Sequence, residues 1–219
     1  MPIPLSGPPS DLLSGSLSAS LSRRGFNRWA AAMPLLLAAG AFPARAAEVN
    51  DDGLHVQPWF METFLDLAED KAETEGQDKH FAVLFEQRGC PYCKEMHEVN
   101  FARQDITNYV KSNFGILQLN MWGSREVTDF DGEALEERDL ARKWNVNFTP
   151  TIVFLKKGGS GTAAEMEVLR MPGYFKPFHF ISMFEYVAGA KYEGGEGFQR
   201  YLQEKFQRYE AEGKKPDVW

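Results

Sequence analysis

Cys90 and Cys93 are the only cysteines in 219 residues, and they stand two residues apart in Cys90-Pro91-Tyr92-Cys93. A disulfide framework for a small exported domain needs several well-separated pairs, so one closely spaced pair reads as a redox centre. The chemistry on offer is thiol–disulfide exchange, in which one thiolate attacks a partner disulfide and the second thiol resolves the mixed disulfide. Zinc sites use the same spacing, and His97, four residues after Cys93, extends it to Cys-x-x-Cys-x-x-x-His. A closed site needs a fourth ligand, which His55, His80 and His179 do not supply by spacing. The expectation is therefore no metal and no cofactor beyond a redox-active Cys90–Cys93 disulfide.

Such a pair needs a strand to deliver it and a helix to receive it. His80 to Phe85 is a short apolar run ending in Glu86-Gln87-Arg88-Gly89, a buried strand leading into a tight turn. Residues 91 to about 112 read as helical, with a break near Asp105. Cys90 then falls at a helix N-terminus, where free N–H groups favour an anion, and becomes the nucleophile, with Cys93 resolving. Pro91 suits the first helical position, which has no hydrogen bond to lose, and Gly89 permits the sharp turn before it.

Around this unit the pattern predicts a helix from Trp59 to about Glu75, a strand from Gly115 to Met121 and a helix from Glu133 to Trp144. A strand from Thr151 to Leu155 is entered through Phe148-Thr149-Pro150 and joined as a hairpin to Glu165–Met171. Helices over Lys176–Val187 and Phe198–Glu212 follow. Gly123 to Gly132 reads as an enlarged polar loop, either a partner-recognition element or a decoration.

This order, with a Cys-x-x-Cys between strand and helix and a Thr-Pro opening a later strand, resembles the thioredoxin fold over residues 58 to 189. The resemblance implies an α/β three-layer sandwich with a central mixed sheet, an enlarged loop before the cis-proline strand and an extra C-terminal helix. It also implies that Thr149-Pro150 is the cis-proline element facing the cysteines, so Tyr92, Thr149 and Pro150 are the substrate-binding candidates. Cis bonds are largely confined to proline, which points to Pro150 independently. Two positions depart from thioredoxin: Gly89 stands where a tryptophan is usual, and Leu84 where a buried acid is usual. Glu86, on the same strand face as Leu84, is either a displaced proton acceptor for Cys93 or an exposed strand-end carboxylate.

Residues 86 to 101, 117 to 130, 148 to 154 and 170 to 178 are similar to the SoxW-like periplasmic thioredoxins associated with bacterial sulfur oxidation. That resemblance implies a protein-disulfide reductase fed by a membrane thiol transporter of the CcdA type. Its substrates would be exported cysteine-containing proteins. Pro-Tyr between the cysteines leaves the direction of electron flow open, and a DsbA-like dithiol oxidase is the alternative. The space before Pro150 is too small for the helical domain such oxidases insert. A copper chaperone using Cys90, Cys93 and His97 or His179 is a further alternative, against which the two-residue spacing counts.

The N-terminus supplies the compartment. Ser22-Arg23-Arg24-Gly25-Phe26, an apolar run from Trp29 to Phe42 and Ala44-Arg45-Ala46 form the zones of an export signal of twin-arginine type, cleaved after about Ala46. The run, interrupted by Pro34 and Gly40, falls short of the about 20 apolar residues of a membrane span. Residues 1–46 are thus read as signal, 47–57 as an N-terminal extension, 58–189 as the domain and 190–219 as a C-terminal helical extension. Processing would leave a soluble periplasmic chain of 20 basic and 30 acidic residues, a net charge of −10. Such a surface argues against nucleic acid or anionic membrane as partner.

Overall fold

The computed structural model describes residues 48–216. The proposed export signal and Trp219 lie outside that range. Four strands form a mixed sheet: β3 (His80–Glu86), β4 (Phe114–Asn120), β7 (Thr151–Leu155) and β8 (Glu167–Pro172), in the order β4-β3-β7-β8. β3 pairs parallel with β4 and antiparallel with β7, and β8 closes the edge antiparallel to β7.

Every residue of β3 is buried, as a central strand covered on both faces requires. Its alternation divides the core in two. Ala82 and Leu84 meet Met96, Phe101, Ile106, Val110, Phe180 and Phe184 on one face. Phe81, Val83 and Phe85 meet Leu67, Leu140, Ala141 and Trp144 on the other. The first face is covered by α2 (Pro91–Glu95), which runs into one turn of π-helix (Met96–Asn100), by α3 (Gln104–Asn113) and by α6 (Pro177–Ala188). The second is covered by α1 (Leu67–Gly76) and α4 (Glu137–Lys143). These are the three expected layers.

Three elements differ from expectation. The first helix begins at Leu67, eight residues later than the periodicity from Trp59 suggests. Leu65 adopts φ 63°, and the Asp66 carboxylate accepts from the N–H groups of Ala68 and Glu69, each at 3.0 Å, so the helix is capped there. Upstream, Met61 bridges to Leu117 and Asp66 to Thr128, and Phe64 points fully into solvent. The polar stretch before α4 contains a small hairpin, β5 (Glu126–Thr128) with β6 (Ala134–Glu136), so α4 starts at Glu137 and not at Glu133. A four-residue helix, α5 (Ala163–Met166), separates β7 from β8, where a direct hairpin was expected.

At the N-terminal side, β1 (Glu48–Val49) pairs with β2 (His55–Val56). At the C-terminal side, α7 (Phe198–Ala211) lies along α6. Lys205 is buried there, donating to Ser182 Oγ at 2.9 Å, pairing with Glu185 and sitting 5.0 Å over the Phe178 ring. Among the described residues, no helix is long and apolar enough to cross a membrane.

One buried acid shapes stability. Asp70 accepts from the Thr63 hydroxyl at 2.9 Å, yet loss of water raises its carboxyl pKa to about 6, with the nearby acids Asp66, Glu73 and Glu69 adding to the effect. The folded chain therefore holds this proton more tightly than the unfolded chain. Its contribution is intact below about pH 4 and is lost as pH rises through about 6. Asp70→Asn should raise unfolding free energy at pH 7 by about 1–2 kcal/mol and leave it nearly unchanged at pH 4, measured by urea denaturation at both values.

Candidate active site

β3 ends at Glu86, Gly89 turns the chain with φ 70°, and Cys90 enters α2 as its N-cap. Gly89 makes the sharp turn expected of it, in the left-handed conformation, and Pro91 occupies the first turn. Cys90 and Cys93 form a disulfide. The Cys93 N–H donates to Cys90 Sγ at 3.0 Å, and the Thr149 hydroxyl donates to the same sulfur at 3.4 Å. The Thr149 carbonyl oxygen lies 3.6 Å from Sγ. Cys90 is 3% exposed and Cys93 0%, so only Cys90 offers any surface to a partner.

The peptide bond between Thr149 and Pro150 is cis, and the Pro150 carbonyl accepts from Gly173 N–H at 2.7 Å, tying the loop to the end of β8. The fold thus brings Cys90, Cys93, Thr149 and Pro150 together as expected. Tyr92 joins them from between the cysteines: its ring is exposed and lies parallel to that of Tyr174, with centroids 6.5 Å apart.

Glu86 and His97, singled out from sequence for separate roles, are joined in one buried polar network. Glu86 is completely buried, which rules out the exposed strand-end reading. Its Oε1 lies 3.0 Å from His97 Nε2, and its Oε2 accepts from Gln118 Nε2 at 2.6 Å. His97 Nδ1 lies 3.1 Å from Gln57 Nε2, and Gln118 Nε2 also donates to the His55 carbonyl at 2.6 Å. With the Gln57 amide donating, His97 presents Nε2–H to the carboxylate, and both bonds are satisfied.

His97 follows Cys93 by four residues on the continuous helical run, which places the two on one face. It is buried. Both its nitrogens are engaged by protein groups, so it offers no free donor to a metal beside the cysteines. The His55 ring packs 5.7 Å from that of His97; burial first, and His97 second, hold its pKa below the usual histidine value. His80 and His179 are likewise held low, chiefly by burial.

Comparison with known proteins agrees with this geometry. A family model described as a thioredoxin-like domain matches residues 67–188, more than half of the chain. No curated protein matches it. Among solved structures, a thioredoxin-fold protein from Helicobacter pylori is 23% identical, the match covering 64% of this chain and 94% of that one at a TM-score of 0.45. A thioredoxin from Thermus thermophilus is also 23% identical, with 60% and 91% covered and a TM-score of 0.46. The C-terminal domain of DsbD from Neisseria meningitidis, in its oxidised form, is 18% identical, with 55% and 90% covered and a TM-score of 0.37. With that family match, a disulfide at the mouth of a strand-turn-helix and a cis Thr149–Pro150 bond whose threonine meets Cys90 Sγ, the chain belongs to the thioredoxin-like domain family.

Proposed function

We propose that this protein is a periplasmic protein-disulfide reductase of the SoxW-like type, working through the Cys90–Cys93 dithiol. The observation that carries the reading is the placement of Cys90 Sγ against both the Cys93 N–H and the Thr149 hydroxyl, two donors that favour a thiolate. In the reduced protein, Cys90 thiolate attacks a partner disulfide and releases one partner thiolate. Cys93 then gives up its proton and attacks Cys90 Sγ, which releases the second partner thiolate and restores the disulfide. Two electrons pass to the partner. A CcdA-type membrane transporter returns them by the reverse exchange.

The proton leaving Cys93 goes to the buried Glu86–His97 pair, whose histidine follows Cys93 by four residues on the same helical run while its carboxylate comes from the end of β3. Export through a twin-arginine signal and action on cysteine-containing sulfur-oxidation proteins rest on the sequence resemblance. The deciding measurement is the equilibrium of the Cys90/Cys93 couple against a dithiol standard. A potential near about −270 mV fits a reductant, whereas one near about −120 mV would make the protein an oxidase and overturn the assignment.

A further inference from the structure

We infer that Trp122 is a specificity-determining contact, selecting partner segments that carry an aliphatic or aromatic side chain next to the cysteine to be reduced. The inference rests on the reductase reading above and adds what that site recognises. Three of the five large apolar side chains exposed among the described residues belong to segments that build or adjoin the disulfide loop: Tyr92 and Trp122, each 62% exposed, and Phe148, 65% exposed. They come from three separate segments. Tyr92 lies inside the motif, and Phe148 precedes Thr149, whose hydroxyl reaches Cys90 Sγ. Trp122 arrives from the turn after β4, where its Nε1–H donates to Gln87 Oε1 at 2.6 Å. Gln87 is three residues ahead of Cys90, a separation that spans at most about 11 Å.

The turn presenting Trp122 is built around a buried charge. Glu137 is 1% exposed, and its carboxylate accepts from Asn120 N–H at 2.8 Å, from Arg125 N–H at 3.4 Å and from the Arg125 guanidinium. Gly123 N–H donates to the Asn120 carbonyl at 2.8 Å, Arg138 N–H donates to the Gly123 carbonyl at 3.1 Å, and Met121 N–H donates to the Glu86 carbonyl at 2.7 Å. A Cβ at Gly123 would lie 1.9 Å from Glu137 Oε2, so any larger residue there would displace that carboxylate. Burying a carboxylate is costly unless it is paired and hydrogen-bonded, as Glu137 is with Arg125 and the Asn120 N–H. What this one holds in place is an indole left in solvent beside the reactive loop. An aromatic side chain fixed before binding loses little entropy on contact, the property of an interface anchor.

The occupant follows from charge as well as from the sulfur. Any partner must bring its own sulfur to Cys90, so the segment that covers Trp122 is the cysteine-bearing one. The cations on these segments have partners of their own: the Arg88 guanidinium donates to the carbonyls of Asp51 and Asp52, Lys94 lies 3.8 Å from Glu98, and Lys176 lies 3.9 Å from Glu95. An apolar neighbour to the cysteine is the complement of the exposed rings of Tyr92, Trp122 and Phe148.

The test uses the reduced protein with three synthetic peptide disulfides, their cysteines flanked by phenylalanine and leucine, by serines or by lysines, and with a small aryl disulfide. Wild type should reduce the apolar peptide fastest. Trp122→Ala should lose tenfold or more of kcat/KM on that peptide alone, holding the serine peptide and the aryl disulfide within twofold, and Trp122→Phe should restore most of the loss. Equal rates on the three peptides, fastest reduction of the lysine peptide with Trp122→Ala unaffected, or a uniform loss on all substrates would overturn the inference. A wild-type protein inert towards every disulfide would instead remove the reductase reading, and the selectivity with it.

Discussion

Cys90→Ser should abolish disulfide exchange, while Cys93→Ser should stop it halfway with the partner covalently attached. The asymmetry follows from the surroundings of the two sulfurs. Cys90 Sγ has the Cys93 N–H at 3.0 Å and the Thr149 hydroxyl at 3.4 Å, and keeps the pair's only solvent-facing surface. Cys93 is sealed beneath it, so a partner disulfide can be reached from Cys90 alone. A serine at 90 removes the nucleophile and leaves Cys93 without access. A serine at 93 leaves the first attack intact and removes the group that would release the product. Mass spectrometry of each variant after incubation with a disulfide-bonded protein checks this: an adduct should accumulate on Cys93→Ser and not on Cys90→Ser. An adduct on Cys93 in the Cys90→Ser protein would reverse the assigned order.

How far this site could be read from sequence depends on whether its signals are local. The thiol pair, Gly89, Pro91 and the buried run from His80 lie within fourteen consecutive residues, and each has a requirement visible in its own type. β7 was legible for the same reason, as an uninterrupted apolar run after Pro150. The stretch from Trp59 to Asp66 misleads because its aromatic spacing suits a helix, while the chain there turns through a left-handed Leu65 and bridges to Leu117 and Thr128. Nothing in the local pattern announces those long-range pairings. The β5–β6 hairpin is hidden likewise, since Glu126 and Glu136 face each other across three pairs with little apolar alternation.

The buried network illustrates the same limit at the site. Its members come from positions 55, 57, 86, 97 and 118, and only the i, i+4 relation of Cys93 to His97 and the shared face of Leu84 and Glu86 could have hinted at it. Lys205 is a comparable case on the far side, a charge buried between two helices that looks like part of a solvated face. Desolvation holds its pKa below the ordinary lysine value against the opposing pull of Glu185.

Glu86→Leu should be the most destabilising single change near the site, costing about 3–5 kcal/mol, because it strands the His97 and Gln118 donors in a dry interior. Glu86→Gln separates that structural cost from chemistry. A glutamine keeps the shape but offers one oxygen where two donors converge. Gln118 cannot turn its own oxygen inward without giving up its bond to the His55 carbonyl. One donor then faces another, for a loss of about 1–3 kcal/mol and a chain that still folds. If the Glu86–His97 pair accepts the Cys93 proton, Glu86→Gln should leave formation of the mixed disulfide by Cys90 unchanged and slow its resolution by about 100-fold near neutral pH. The deficit should shrink as alkaline buffer takes over as base. Rapid-quench separation of the two steps across pH 6 to 10 reads this directly. Resolution at the wild-type rate throughout would make the network a structural support for β3 and leave Cys93 to lose its proton to solvent.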